Sequence, residues 1–257
     1  KKLIHKKSSK SDIDMQEYAQ ILNYAIPFFL VLIAIEYGAS CYMHFQVNRI
    51  FDTISSLSSG ITNVVKDVLG LAIVVISYKW FYNHLAFFKI ESTLMLYVLA
   101  FIGIDFAGYW VHRWCHEVNI FWNRHIIHHS SEEYNLACAL RQSVSEVFAV
   151  FTFTYIPMAI LGVPSQVIAV VAPIQLFAQF WYHTRLINKM GFLEYIIVTP
   201  SHHRVHHAIN PQYMDKNYSQ IFIIWDKLFG TFQAEPPRSS PSIWCKQGRK
   251  NLESLDH

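Results

Sequence analysis

The sequence is short of charge. Only 15% of its 257 residues are Asp, Glu, Lys or Arg, against 53% hydrophobic and 16% aromatic. A soluble domain usually carries roughly 25% charged residues, so the deficit argues against a water-soluble globule and for lipid contact. Cysteine is also scarce. Cys41, Cys115, Cys138 and Cys245 form no C-x-x-C pair, which excludes a zinc ribbon and a disulfide framework and leaves reduced, packed thiols. No glycine-rich nucleotide loop is present, so direct binding of NAD or ATP is not expected. There is no internal repeat beyond a recurring histidine spacing and no low-complexity linker. The N-terminus does not read as a secretory signal, because the basic run Lys1, Lys2, Lys6, Lys7, Lys10 leads into polar residues 11–20 before the apolar sequence begins. The net charge of +3 gathers in that run and after residue 183. This is the pattern of membrane topology, and no nucleic-acid partner is expected. Asn217-Tyr218-Ser219 fits a glycosylation sequon, a triplet that arises often by chance.

Five apolar segments stand out: Ile21 to Met43, with Glu36 inside it; Ile61 to Phe81, weakened by Lys66 and Asp67; Thr93 to Val111, interrupted by Asp105; and Val147 to Leu161 with Val163 to Tyr182, a helical hairpin turned at Gly162-Val163-Pro164. A span needs ~20 mostly apolar residues. The expected architecture is an all-α membrane protein with about four transmembrane or re-entrant helices, estimated from segment length. Two full spans before His112, with Ile61 to Phe81 at the interface or re-entrant, would keep both basic ends in the cytoplasm. The division expected is 1–92 for the basic segment and first helices, 93–233 for the functional domain, and 234–257 for a polar tail beginning near Pro236-Pro237.

What the sequence has in excess is clustered histidine. Five of its 14 histidines fall between His112 and His129, and four of the six residues from 202 to 207 are histidine. His112 and His116 are i, i+4; His125, His128 and His129 are i, i+3, i+4; His203, His206 and His207 repeat that pattern. On helices these offsets place imidazoles on one face. The apolar hairpin leaves and returns between the second and third blocks, so all three lie on one side of the bilayer. So many nitrogen ligands exceed one four-coordinate zinc but suit two open-sided metals. The bland alternative, interfacial histidines satisfying backbone carbonyls, explains one histidine well and three matched blocks poorly. His183, at the end of the last apolar segment, is a further candidate ligand. His202 is either a ligand or a donor behind the ligands. Asp105, seven residues before His112 inside an apolar run, invites the same reading, because an ionisable group there is costly. Glu117, directly after His116, is a candidate catalytic carboxylate, and Glu132, Glu133 and Asp226 lie near the blocks. Asn135, Arg141 and Gln142 could meet a substrate head or cofactor, or simply bond to loop and helix ends. His5, His44, His84 and His257 are isolated and read as surface or interfacial.

The order His112-x3-His116, His125-x2-His128-His129, His203-x2-His206-His207 resembles the fatty acid hydroxylase and sterol desaturase superfamily of membrane diiron enzymes, over roughly residues 93 to 233. Longer stretches look like its tetrahydrobiopterin-dependent, ether-lipid-cleaving branch. They include Asp105 through Trp110 to Ile120, His128-His129-Ser130-Ser131-Glu132-Glu133-Tyr134-Asn135-Leu136, Ala139-Leu140-Arg141-Gln142-Ser143-Val144, Thr199 to His207, Asp215-Lys216-Asn217-Tyr218 and Ile224 to Phe232. That branch continues into further apolar C-terminal helices, whereas this sequence ends in a polar tail.

The resemblance implies two iron ions, O2 and tetrahydrobiopterin, acting on the carbon next to the ether oxygen of an alkylglycerol and releasing a fatty aldehyde and glycerol or a derivative. It implies an integral membrane setting with the site facing the cytoplasm: the endoplasmic reticulum in a eukaryote, the inner membrane in a bacterium. The aromatic stretch Phe177 to Tyr182 would line a tail channel or form an interfacial belt. The nearest alternative is a sterol or fatty-acyl hydroxylase or desaturase of the same superfamily, fed by an electron-donor protein; the residues after His129 favour the ether-lipid branch. A metal transporter would spread polar ligands along several spans, not bunch them at one surface.

Overall fold

A computed structural model describes residues 10–143, 145 and 149–236. The basic run up to Lys7, His5, His257, Cys245 and the tail after Pro236 lie outside the described residues, as do the side chains of Lys66 and Asp67.

The described residues are helical, with no strand beyond one isolated bridge between Ile197 and Phe222. Three long helices come first: α1 (Lys10–Tyr42), α2 (Ile50–Leu85) and α3 (Leu94–Glu117). They are followed by α4 (Asn119–His129), α5 (Ile156–Ile160), α6 (Ser165–Phe177), α7 (Pro200–His206) and α8 (Ile224–Leu228), with 3-10 turns between. By length and composition α3 is the one described helix apolar enough to cross a membrane; shorter apolar stretches are Ile26–Tyr42, Val150–Ile160 and Ser165–Ala178.

α3 starts where Thr93 caps it, its hydroxyl accepting from the Leu96 N–H at 3.3 Å. It stops at Val118, which at once begins α4. The second segment, expected to be interfacial or re-entrant, lies inside the unbroken α2. Its N-terminal turns meet the loop after α4 through Asp52, Ser56 and Asn63, and its far end packs through Tyr78, whose hydroxyl donates to the Val163 carbonyl at 2.8 Å. α1 reaches the same loops with Glu36 near its C-terminus. So α1 and α3 both run toward the histidines, and α2 runs back.

The turn expected at Gly162 is present, with φ +87. A Cβ there would lie 2.1 Å from the Phe88 carbonyl oxygen, so only glycine fits. The described part of the first arm is the 3-10 turn Val150–Tyr155 and the five-residue α5, its expected start at Val147 lying outside the described residues; the second arm is the 13-residue α6, shorter than the run to Tyr182 that was expected. Of the aromatic run Phe177 to Tyr182, Phe177 ends α6 and residues 178–182 are turns after it.

The core joins α2, α3, α5 and α6. Tyr78, Leu96, Ala100, Ile104, Met158, Ala159, Val167, Ile168 and Val171 are all buried there. Each fully buried Leu, Ile, Val or Met stabilises by about 1.5–3 kcal/mol, and the small Ala100 and Ala159 let helices approach closely. Outside the core, large apolar side chains face outward along the long helices, among them Phe28, Val31 and Ile35 on α1, Ile76 on α2, and Leu94 and Leu99 on α3. A surface of this kind needs an apolar cover.

Candidate metal centre

The α3–α4 joint, α7 and the turn after α6 bring nine histidines together. They fall into two sets. His112, His116, His125, His129 and His206 form one; His128, His183, His203 and His207 form the other. Within each set the ligand atoms lie within 4.8 Å of one another. All nine are the histidines singled out by spacing and position in the sequence.

Four of the rings are oriented by backbone carbonyls. His112 Nδ1 donates to Tyr218 O at 2.8 Å, His128 Nδ1 to Arg141 O at 3.2 Å, His183 Nδ1 to Gln179 O at 3.1 Å, and His206 Nδ1 to Lys216 O at 3.0 Å. A carbonyl only accepts, so in each ring Nδ1 carries the proton and Nε2 presents a lone pair. Yet His183 Nε2 lies 3.3 Å from His128 Nε2. Two lone pairs at that distance repel. A proton between them would need an imidazolium, and burial, followed by the neighbouring imidazoles, holds His128 down to about 4 and His183 well below its ordinary value. The same causes, in the same order, hold His125, His129, His203, His206 and His207 well below theirs. A metal cation satisfies converging neutral imidazoles where a proton does not. The buried His116 Nε2 has no hydrogen-bond partner, as expected of a nitrogen reserved for a metal. Five and four imidazole nitrogens fit two centres of the iron, copper, nickel or zinc kind.

The remaining sequence candidates sit differently. His202 belongs to neither set. Its Nε2 lies 3.1 Å from Glu194 Oε2, its Nδ1 accepts from the Thr199 N–H, and its carbonyl receives Asn217 Nδ2 at 3.0 Å. Asp105 touches no histidine. It accepts from Gln175 Nε2, the Ile221 and Phe222 N–H groups and Trp225 Nε1, at 2.7–3.1 Å, and so ties α3 to α6 and to the loop before α8. Glu117 is exposed and accepts from Arg113 Nε at 2.8 Å; the structure does not bring it to the histidines. The carboxylates expected behind the ligands are replaced, for those four rings, by carbonyls. Glu132 and Glu133 pair instead with Arg49, and Glu133 also with Arg185.

Asn135 and Arg141 brace the loop after α4, whose Arg141 carbonyl orients His128 of the second set. Asn135 donates to Val47 O at 2.8 Å and accepts from the Cys138 N–H. Arg141 is buried and donates to Ser130 O, Ser56 Oγ and Asp52 Oδ1, the last at 2.6 Å, while its own carbonyl orients His128. Gln142, in contrast, lines a cavity. That cavity, of about 530 Å³, is bounded by His112 and His125 of one set, by His128, His183 and His203 of the other, and by mostly apolar walls that include Phe177, Phe180 and Tyr182.

Three contributors were not legible as such in the sequence. Asp226 accepts from the Tyr218 and Ser219 N–H groups, both at 2.8 Å, and so fixes the peptide whose carbonyl orients His112. Asn217, at φ +58, is buried and bonded to His202 O and Gln233 O, which removes it from any glycosylating enzyme. Arg204, inside the third block, is buried and forked onto Glu235 at 2.8 and 2.7 Å. Glu235 therefore packs with the body, beyond the expected boundary at 233. Cys115 and Cys138 are buried, as expected, but Cys41 is exposed.

A family model described as fatty acid hydroxylase matches residues 97–231, and the chain belongs to that family. Within it, the chain is similar to alkylglycerol monooxygenases: 41% identical to that of Homo sapiens over 232 residues, covering 90% of this chain and 52% of the relative, and 42% identical to that of Xenopus tropicalis over 229 residues, covering 89% and 50%. It is 30% identical to an ornithine lipid hydroxylase of Rhizobium tropici over 146 residues, 57% of this chain and 44% of that protein. The chain spans about half the length of these curated relatives. No solved structure matches it.

Proposed function

We propose that this chain is the diiron part of a membrane monooxygenase that hydroxylates the ether-adjacent carbon of an alkylglycerol. The observation that carries the reading is two histidine sets opening on one apolar-walled cavity. A cavity of that size falls within the roughly 300–1,000 Å³ of small-molecule sites. The similarity to alkylglycerol monooxygenases supports the substrate class.

Iron held by the two sets would supply the activation of O2. The protein's part is positional. Tyr218, Arg141, Gln179 and Lys216 hold imidazole protons through their carbonyls, so Nε2 lone pairs converge without rearrangement. The apolar walls exclude water and hold the alkyl chain. One oxygen atom enters the C–H bond and the other leaves as water, with two electrons from tetrahydrobiopterin. The resulting hemiacetal breaks its carbon–oxygen bond to give an aldehyde and the free glycerol alcohol.

In this reading residues 93–233, extended to Glu235, form the catalytic unit, and residues 1–92 supply the first membrane helices. The protein sits in the membrane with about four transmembrane or re-entrant segments. Lipid covers the outward apolar residues of α1, α2 and α3, and the site faces the cytoplasm. The membrane is the endoplasmic reticulum in a eukaryote and the inner membrane in a bacterium. An electron-donor protein replaces the pterin in the second reading, hydroxylation of another lipid chain, which the likeness to the ornithine lipid hydroxylase favours.

Purified protein with two irons per chain that releases aldehyde from an alkylglycerol only with O2 and tetrahydrobiopterin would support the first reading. Two irons without aldehyde would favour the second. Protein that takes up no metal on iron reconstitution would overturn both.

A further inference from the structure

Three amides stand together in the apolar cavity wall: Gln175 and Gln179 on and just after α6, and Gln220 opposite them. Chemistry fixes their orientation. Gln175 Nε2 donates to Asp105 Oδ1 at 2.9 Å. A carboxylate only accepts, so the Gln175 amide nitrogen must face it and Oε1 must face away. That oxygen is buried with no hydrogen-bond partner, on a side chain 1% exposed. Gln179 Nε2 donates at 3.2 Å to the Gln175 carbonyl and at 3.2 Å to Gln220 Oε1. The backbone carbonyl fixes the Gln179 amide, which in turn turns the Gln220 oxygen toward it and leaves Gln220 Nε2 as a donor. α3 makes room for this with Gly108, where a Cβ would lie 2.0 Å from Gln220 Oε1.

We propose that Gln175, Gln179 and Gln220 form a hydroxyl-recognition subsite, in which Gln175 Oε1 accepts a hydrogen bond from a headgroup alcohol and Gln220 Nε2 donates to the same headgroup. The inference rests on the alkylglycerol reading and adds what selects the substrate. A buried acceptor left unpaired costs about 1–3 kcal/mol. A hydrocarbon, ester or ether has no donor to offer it, whereas an alcohol both donates and accepts. In an alkylglycerol the 2-hydroxyl oxygen is four bonds from the ether-adjacent carbon, so recognition of the alcohol sets the register of that carbon. Gln179 Nε2 holds the pair together, and the Gln179 carbonyl also orients His183, which couples the subsite to the second histidine set.

The test compares 1-O-hexadecylglycerol with its 2,3-di-O-methyl ether, which keeps the chain and the reacting carbon but has no donor. Equilibrium binding and aldehyde release are measured separately on the iron-loaded protein in detergent. The wild type is expected to bind the alcohol about tenfold or more tightly than the dimethyl ether, the size of one satisfied buried acceptor. Gln175→Met should shrink that preference toward unity through weaker alcohol binding, with the dimethyl ether unaffected. Gly108→Ala displaces the Gln220 donor while leaving the Asp105 bonds intact, and because an ether oxygen accepts as an alcohol oxygen does, it should weaken both ligands alike. Equal binding of the two ligands by wild type overturns the proposal whether or not Gln175→Met folds, as does unchanged affinity for both ligands in folded Gly108→Ala protein. A change in the Michaelis constant for the pterin in place of the lipid also overturns it. Selective alcohol binding without aldehyde leaves the subsite standing and removes the proposed reaction; aldehyde release without selectivity does the reverse.

Discussion

Asp226→Asn should loosen the first histidine set without altering any histidine. Asp226 Oδ1 accepts from the Tyr218 N–H at 2.8 Å and the Thr231 hydroxyl at 2.7 Å, and Oδ2 accepts from the Ser219 N–H at 2.8 Å. The residue is fully buried. An asparagine has one acceptor oxygen. If it keeps the Tyr218 side, its NH2 faces the Ser219 N–H, donor against donor; if it flips, Tyr218 and Thr231 lose their acceptor. One buried donor left unpaired, plus the loss of charge assistance on the others, costs about 3 kcal/mol. The Tyr218 carbonyl then loses its fixed position, and with it the hold on the His112 Nδ1 proton. Removing such an orienting partner typically costs 10–100-fold in metal affinity. The assay is titration of apo protein in detergent with Fe(II) or Co(II), beside a denaturation curve for each variant. A variant with wild-type stability and wild-type affinity for both metals would refute the view that this carboxylate positions His112 through the Tyr218 peptide.

Other expectations follow from the same contacts. His129→Ala and His128→Ala remove ligands from different sets, so each should lower iron toward one per chain and abolish turnover; two irons in either would break the assignment. Glu117→Gln should leave metal content at wild type, because Glu117 is exposed and bonded to Arg113; loss of iron would place it closer to the metals than the fold does. Glu235→Ala leaves the buried Arg204 guanidinium without its counter-charge, holding only the Thr184 and Ile187 carbonyls, and should destabilise by about 3–5 kcal/mol, read by denaturation; a change under about 1 kcal/mol, the scale of an exposed pair, would contradict the burial. The metal-free protein should lose stability as pH falls. His128 is held neutral down to about 4, while the unfolded chain takes up the proton near 6.5. Stability is therefore full above about 6.5 and declines below it, by about 3 kcal/mol at pH 4 from this residue alone. A flat profile from pH 7 to 4 would refute the buried neutral state.

The histidine blocks were legible because side chains that converge from one helix face repeat at the helical period, as eight histidines in three blocks do, and the structure brings all eight together. His183 was legible by position, at the end of an apolar run. The partners behind the ligands were not, because a backbone carbonyl has no sequence signature. Tyr218, Arg141, Gln179 and Lys216 contribute an atom that every residue possesses. The buried carboxylates were visible as anomalies but not as assignments. Asp105 and Asp226 hold the strand of backbone from 218 to 222, a contact across more than 100 residues for Asp105 that spacing cannot reveal. The extent of the helix through residues 61–81 was not legible from its apolarity alone, because the polar turns at 50–60 belong to the same helix and hold it to the site through Asp52 and Ser56, which bind Arg141.

Two pairs of neighbours, His128 with His129 and His206 with His207, are each divided between the two sets. Adjacent helical side chains diverge by about 100°, and here the divergence sends them into different sets. The centres therefore share α4 and α7 as common walls. An ion held by the first set would fix both helices, and with them His128, His203 and His207 of the second set. If both sets hold metal, the two occupancies are linked, and the linkage is reciprocal: each ion changes the affinity for the other by the same factor, whichever set fills first. Ordering of the shared helices raises that factor and repulsion between two cations lowers it, so the spread of metal over chains given half their complement reads which of the two prevails.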